Sequence, residues 1–151
     1  MSSRLFIKLR EEMGAGYYIG AGHHTYKSFG SFSISTGTKS ERTAEIVAAI
    51  LVETKKIKTV LVGQDELNKV KEFMRAHRIM ALETSDDVAD FCADQEVTRG
   101  EIKTPDDFEK IYAAITAEDI MRVAHVLFDQ KKLTLAVIGK DLDKEGIRKV
   151  L

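Results

Sequence analysis

Tyr17-Tyr18-Ile19-Gly20-Ala21-Gly22-His23-His24, joined through Thr25-Tyr26-Lys27 to Ser28-Phe29-Gly30-Ser31-Phe32-Ser33-Ile34-Ser35-Thr36-Gly37-Thr38, is the stretch that decides the fold class. The first half is rich in β-formers, and its glycines at 20 and 22 leave room for a bulge or a close backbone. The second half alternates, with Phe32 and Ile34 on one face and Ser31, Ser33 and Ser35 on the other, as a strand with one buried side does. The short link at His24–Ser28 predicts an antiparallel hairpin. A third strand is expected at Leu133-Thr134-Leu135-Ala136-Val137-Ile138, an apolar run of strand length that ends at Gly139.

Everything else reads as helix. Leu5, Phe6, Leu9 and Met13 fall at helical spacing, and Gly14 suits a left-handed C-terminal turn. Ser40 is a good N-cap for a helix carrying Ala44, Val47, Ala48, Leu51 and Val52, and Lys55, Lys56 and Lys58 suit its negative end. Further helices start near Gln64, with Leu67, Val70, Phe73, Met74 and Ile79 apolar, and near Ser85, with Val88, Phe91 and Cys92 apolar. Pro105 behind Thr104 is an N1 proline behind its cap and opens a helix over 105–114. Thr116 with Asp119 is close to a capping box and precedes the stripe Ile120, Val123, Ala124, Leu127. The expected class is α+β, an antiparallel sheet of about three strands covered by about five helices.

The chain has 151 residues, enough for one domain, and 1–151 is read as a single unit. Its 44% hydrophobic and 31% charged content exclude disorder as the main state. Lys and Arg total 23 against 24 Asp and Glu, so no net charge draws the chain to nucleic acid. No apolar run is long enough to span a membrane, and the start has no signal-peptide pattern. A single cysteine, Cys92, in an apolar helical setting reads as a buried thiol and fits a reducing, cytoplasmic compartment.

Self-contained chemistry is not found. The glycines from 14 to 22 follow a helix and open a strand, the reverse of a phosphate-binding loop. Neither H-E-x-x-H nor H-x-x-E-H occurs; His23 and His24 are neighbours on a strand and point to opposite faces, and His77 and His125 stand alone. No Gly-x-Ser-x-Gly elbow presents a serine. The paired carboxylates Asp86-Asp87, Asp106-Asp107 and Glu118-Asp119 lie in first helical turns, where they favour the dipole. One local set remains: Arg10 on the last turn of the first helix and Tyr17 at the start of the strand. These could converge on a peptide carbonyl, or Arg10 could pair with Glu11 or other carboxylates while Tyr17 only fills the strand.

Ser2-Ser3-Arg4-Leu5-Phe6-Ile7-Lys8-Leu9-Arg10-Glu11-Glu12-Met13-Gly14-Ala15-Gly16-Tyr17 resembles the S-R-L-F-x-x-L-R-E-x-x-G-L-A-Y signature of the pitrilysin/insulinase (inverzincin, mitochondrial-processing-peptidase-like) family of zinc metallopeptidases. The likeness continues at Phe29–Ile34, at Gln64-Asp65-Glu66-Leu67, at Ile115–Ile120 and at Leu135–Gly139. The resemblance implies paired α+β half-units, one of which holds zinc on H-x-x-E-H. With no such motif, this chain is similar to the partner unit, a non-catalytic, substrate-binding part with no metal or catalytic residue of its own. Carried over by position, Arg10 and Tyr17 bind the backbone of an extended peptide, and Zn belongs to the catalytic partner domain. The sequence departs from the signature at Ala15 and Gly16, where the family prefers Leu-Ala, which bears on how Tyr17 is aimed. Family units open with a strand and helix ahead of S-R-L-F, so the chain is expected to be the back part of a domain. The sheet edge so exposed is expected to favour self-association. The rival expectation is an inactive structural or assembly subunit of the same fold; a metal hydrolase built on His23 and His24 is the third.

Overall fold

The structure, a computed structural model, describes residues 3–151; Met1 and Ser2, the first residue of the signature stretch, lie outside the described residues. The order is helix α1 (Arg4–Phe6) running into a π-helical turn (Ile7–Glu12), strands β1 (Ile19–Thr25) and β2 (Gly30–Thr36), a 3₁₀ turn (Ser40–Arg42), helices α2 (Thr43–Thr59), α3 (Gln64–Met80), α4 (Ser85–Arg99), α5 (Pro105–Ala114) and α6 (Ala117–Leu127), a second 3₁₀ turn (Gln130–Lys132) and helix α7 (Lys144–Val150). The class is α+β. The chain forms two compact units: the chain up to His24 with Ser31–Val60 and Val123–Leu151, and Thr25–Gly30 with Leu61–Arg122.

In the first unit, β1 and β2 form the two-stranded hairpin the sequence predicts, antiparallel because only four residues connect them. At the hairpin tip, which is counted with the second unit, the Tyr26 N–H donates to the Phe29 carbonyl at 2.9 Å, and the two rings stack at 4.4 Å. Leu9, Ala15 and Ile46 are the buried centre, with Met13, Ile19, Ala49 and Ile50 packed around them. Helix α7, absent from the sequence reading, lies on α2 and buries Ile147; the Asp143 side chain caps it by accepting the Gly146 N–H at 2.9 Å.

Three expectations are corrected here. The sheet has two strands among the described residues, not about three: Leu133–Ile138 forms no ladder and leaves Leu133, Leu135, Val137 and Ile138 exposed. An apolar run becomes a strand only beside a strand with free N–H and C=O groups, and neither hairpin strand pairs with this run. The hairpin is mostly exposed. Only Ile19, Ile34 and Thr36 are even half-buried, although Phe32 meets Phe128 edge-on at 5.4 Å. Helix α2 starts at Thr43, later than Ser40 would have it, because Ser40 opens the 3₁₀ turn instead.

In the second unit, α4, α5 and α6 each begin with Thr-x-x-Asp: Thr84/Asp87, Thr104/Asp107 and Thr116/Asp119. In every case the threonine hydroxyl accepts the aspartate N–H at 3.2 Å, while the carboxylate accepts the threonine N–H at 3.0–3.2 Å. The threonine side chain, then its amide, holds the Asp87 and Asp107 carboxyls below the usual range; for Asp119 the first cause is Arg122, then the Thr116 amide. Each carboxyl is thus more acidic folded than unfolded. The stability tied to it is complete above the unfolded value, near ~4, and is lost as pH falls through the lower folded value. The expected result is a melting temperature that drops below about pH 4, with a shallower drop in Asp107→Asn. Identical acid slopes for the two proteins in calorimetry would remove the cap from the explanation.

Helix α5 packs on α3 through Phe108, which is buried. The Arg78 guanidinium sits 4.1 Å from the Phe108 ring centre and donates to the Tyr112 hydroxyl at 2.7 Å. Gln95, also buried, fixes the link from α4 to α5 by accepting the Lys103 N–H at 3.0 Å and donating to the Lys103 carbonyl at 3.2 Å. Cys92, expected to be buried, is half-buried and free. Among the described residues no helix is long and apolar enough to cross a membrane.

Candidate functional site

The Ser3 hydroxyl caps the first helix by accepting the Phe6 N–H at 3.3 Å. Past Phe6 the backbone widens into the π-turn, where the Met13 N–H reaches the Lys8 carbonyl at 3.1 Å and the Ala15 N–H reaches the Leu9 carbonyl at 2.8 Å. Such turns are uncommon and occur often at functional sites. Leu9, with no exposed surface, pins the turn to the core and so leaves Arg10 pointing outward. The Arg10 guanidinium lies 5.3 Å from the centre of the Phe6 ring. Among the described residues no carboxylate pairs with it: Glu12 is taken by Lys8 at 2.7 Å, and Glu11 makes no ion pair.

After the turn the chain reverses through Gly14 (φ 57°), buried Ala15 and Gly16 (φ 100°). A side chain at 16 would adopt a backbone that L-residues rarely tolerate, and its Cβ would approach Thr36 Oγ1 to 3.2 Å. The two departures from the family signature therefore have local reasons, Ala15 filling the core and Gly16 making the reversal. Tyr17 then donates its N–H to the Gly37 carbonyl at 2.7 Å, and Gly37 donates to the Tyr18 carbonyl at 3.3 Å, so pairing runs two residues back from β1. The Tyr17 side chain is 73% exposed. Gly37 is fixed by the Tyr18 ring, since a Cβ there would lie 2.6 Å from its Cε1.

Arg42 closes the arrangement. Its Nη1 donates to the Met13 carbonyl at 3.0 Å, while Nε and Nη2 donate to the two Glu45 oxygens at 2.8 Å each. Those hydrogen bonds draw the Glu45 carboxyl below its ordinary range. Sequence reasoning missed Gly37, Arg42 and Glu45. Gly37 sits where its neighbour across the hairpin is decided only by register, and the link from Arg42 to Met13 spans 29 residues; only the Arg-x-x-Glu spacing of 42 and 45 was open to reading. Arg10 and Tyr17 stand on either side of one glycine turn, with no hydrogen bond between them among the described residues. His23 and His24 are exposed on β1, and His77 stacks on Phe73 at 5.8 Å. Among the described residues no three His, Cys, Asp or Glu side chains are grouped to hold a metal ion.

Comparison with known proteins bears on the family and the fold. Residues 1–74 match the family described as Peptidase M16 inactive domain. The chain is 29% identical over 139 residues to a Rickettsia felis protein named an uncharacterized zinc protease, covering 92% of this chain and 33% of that one. It is 26% identical over 106 residues to the beta subunit of the Saccharomyces cerevisiae mitochondrial-processing peptidase, covering 70% and 23%. Among solved structures, a protease from Helicobacter pylori superposes with a TM-score of 0.68 at 26% identity, covering 87% of this chain and 32% of that one. A conserved protein from Enterococcus faecalis V583 shares the fold with a TM-score of 0.73 at 21% identity, covering 82% and 28%. The fold and its relatives are those of zinc peptidases. The chain resembles the pitrilysin/insulinase family, peptidase M16: residues 1–74 match its inactive domain, and relatives over most of the chain are named zinc proteases. It spans about a third of the length of the curated relatives that match most of it.

Proposed function

We propose that this chain is the non-catalytic, substrate-positioning part of a zinc metallopeptidase that cleaves extended or unstructured peptides. The observation that carries the reading is Arg10: an exposed guanidinium without a carboxylate partner among the described residues, on a turn pinned to the core by Leu9 and followed by exposed Tyr17. A guanidinium offers several N–H donors in one plane and a phenol one O–H, a set suited to the carbonyl oxygens of a peptide backbone. Zinc, as the names of the relatives suggest, belongs to an H-x-x-E-H unit supplied by the partner. Facing that unit, Arg10 and Tyr17 hold the substrate backbone and offset negative charge that builds on its carbonyl oxygen. The reducing, cytoplasmic setting proposed from Cys92 belongs to the same reading, as does self-association through the unpaired hairpin edges.

The test is cleavage of a quenched fluorescent, unstructured peptide by the chain alone and by the chain mixed with an H-x-x-E-H unit from the same source. Cleavage is expected only in the mixture. Arg10→Ala should lower kcat/KM about 10- to 100-fold and Tyr17→Phe about 10-fold, the scale of one charged and one neutral hydrogen bond. Unchanged kinetics in both variants would leave an assembly subunit in place of a substrate-binding one.

A further inference from the structure

The Gly14–Gly16 reversal joins the two proposed substrate-binding side chains, yet little holds it. Nothing lies within 4 Å of where a Gly14 Cβ would be, and Gly14 and Gly16 both have the backbone freedom that glycine brings. Four restraints fix it: buried Ala15, the Ala15 N–H on the Leu9 carbonyl, the Tyr17 N–H on the Gly37 carbonyl, and Arg42 on the Met13 carbonyl. Among the described residues, the last is the only hydrogen bond to the reversal that a side chain supplies. Helix ends leave carbonyls without partners, and Met13 is the residue at which the π-turn ends. Arg42 satisfies that carbonyl with one arm while its other N–H groups bind Glu45 through two oxygens. A fork held at both tines cannot swing, so the position of the Met13 carbonyl is tied to the first turn of α2.

On the reading that Arg10 and Tyr17 bind peptide, we infer that Arg42, oriented by Glu45, is a positioning residue for that pair. It touches no substrate. It holds the reversal, and therefore the separation of Arg10 from Tyr17, in the geometry that binds. Lysine cannot replace it, because one ammonium lacks the planar fork that reaches the carbonyl and both carboxylate oxygens together.

The experiment compares Arg42→Lys, Glu45→Gln, Arg10→Ala and the double variant Arg10→Ala/Arg42→Lys in the full chain, by anisotropy of a fluorescein-labelled unstructured peptide and by amide hydrogen exchange. Arg42→Lys and Glu45→Gln should each weaken binding about fivefold, and the double variant should bind no worse than Arg10→Ala alone, as linked residues do. Exchange at the Ala15 and Tyr17 amides should quicken about tenfold in Arg42→Lys while the amides of β2 keep their protection. Three results overturn the inference without touching the peptide-binding reading: full affinity in Arg42→Lys, losses that simply add in the double variant, or faster exchange throughout the unit. Unchanged affinity in Arg10→Ala overturns that reading and the inference with it.

Discussion

Leu9→Ala is expected to lower the unfolding free energy by about 2–5 kcal/mol, the range for emptying a fully buried leucine site. Leu9 and Ile46, 0% and 1% exposed, are the largest fully buried side chains among the described residues, and they belong to the same small cluster. A cluster that small has few neighbours that could relax into the void. The substitution also unpins the π-turn, so loss of stability and loss of peptide binding should appear together. Urea unfolding followed by circular dichroism reads the first. A cost below about 1 kcal/mol would mean that the turn is held by something other than this contact.

The second large effect belongs to Phe108→Ala, at about 3–5 kcal/mol. Phe108 is 7% exposed, and its ring lies 5.9 Å from that of Phe91 and 6.1 Å from that of Tyr112. The Arg78 guanidinium, 4.1 Å from the same ring, has a buried Nε with no hydrogen-bond partner among the described residues. Removing Phe108 takes away the face on which this cation rests, so the cost includes a cation–π contribution as well as a cavity. Phe108→Leu separates the two, because it refills much of the volume and returns no π-face. Hydrogen exchange should show lost protection in α3 and α5 for both variants, with the leucine variant intermediate. Equal protection in Phe108→Leu and the natural protein would leave packing volume as the whole effect.

What could be read in advance divides by distance along the chain. Helix α6 was legible because Thr116 stands three residues before the Asp119 that completes the cap, α5 because Pro105 follows its Thr104 cap, and α4 from the apolar spacing of Val88, Phe91 and Cys92. The hairpin was legible from the alternation at Phe32 and Ile34, though not its exposure, since alternation reports a difference between faces and does not say what covers either one. Leu133–Ile138 was misread because an apolar run states a preference that only a neighbouring strand can complete. The π-turn escaped because Leu5, Leu9 and Met13 are spaced alike for α and π winding. At the site, Arg10 and Tyr17 came from residue type and the family signature. Gly37 and Arg42 act through partners 19 and 29 residues away, and no local pattern announces such pairs.

The three Thr-x-x-Asp starts bear on the order of events during folding. Each needs only four consecutive residues, so the first turns of α4, α5 and α6 can form on the timescale of helix nucleation, before any distant segment arrives. Arg42 meets Met13, 29 positions away, only after the intervening chain, the hairpin included, has been drawn into a loop. The Gly14–Gly16 turn is therefore among the late-assembling parts of the molecule, completed after the first turns of α4, α5 and α6 have formed.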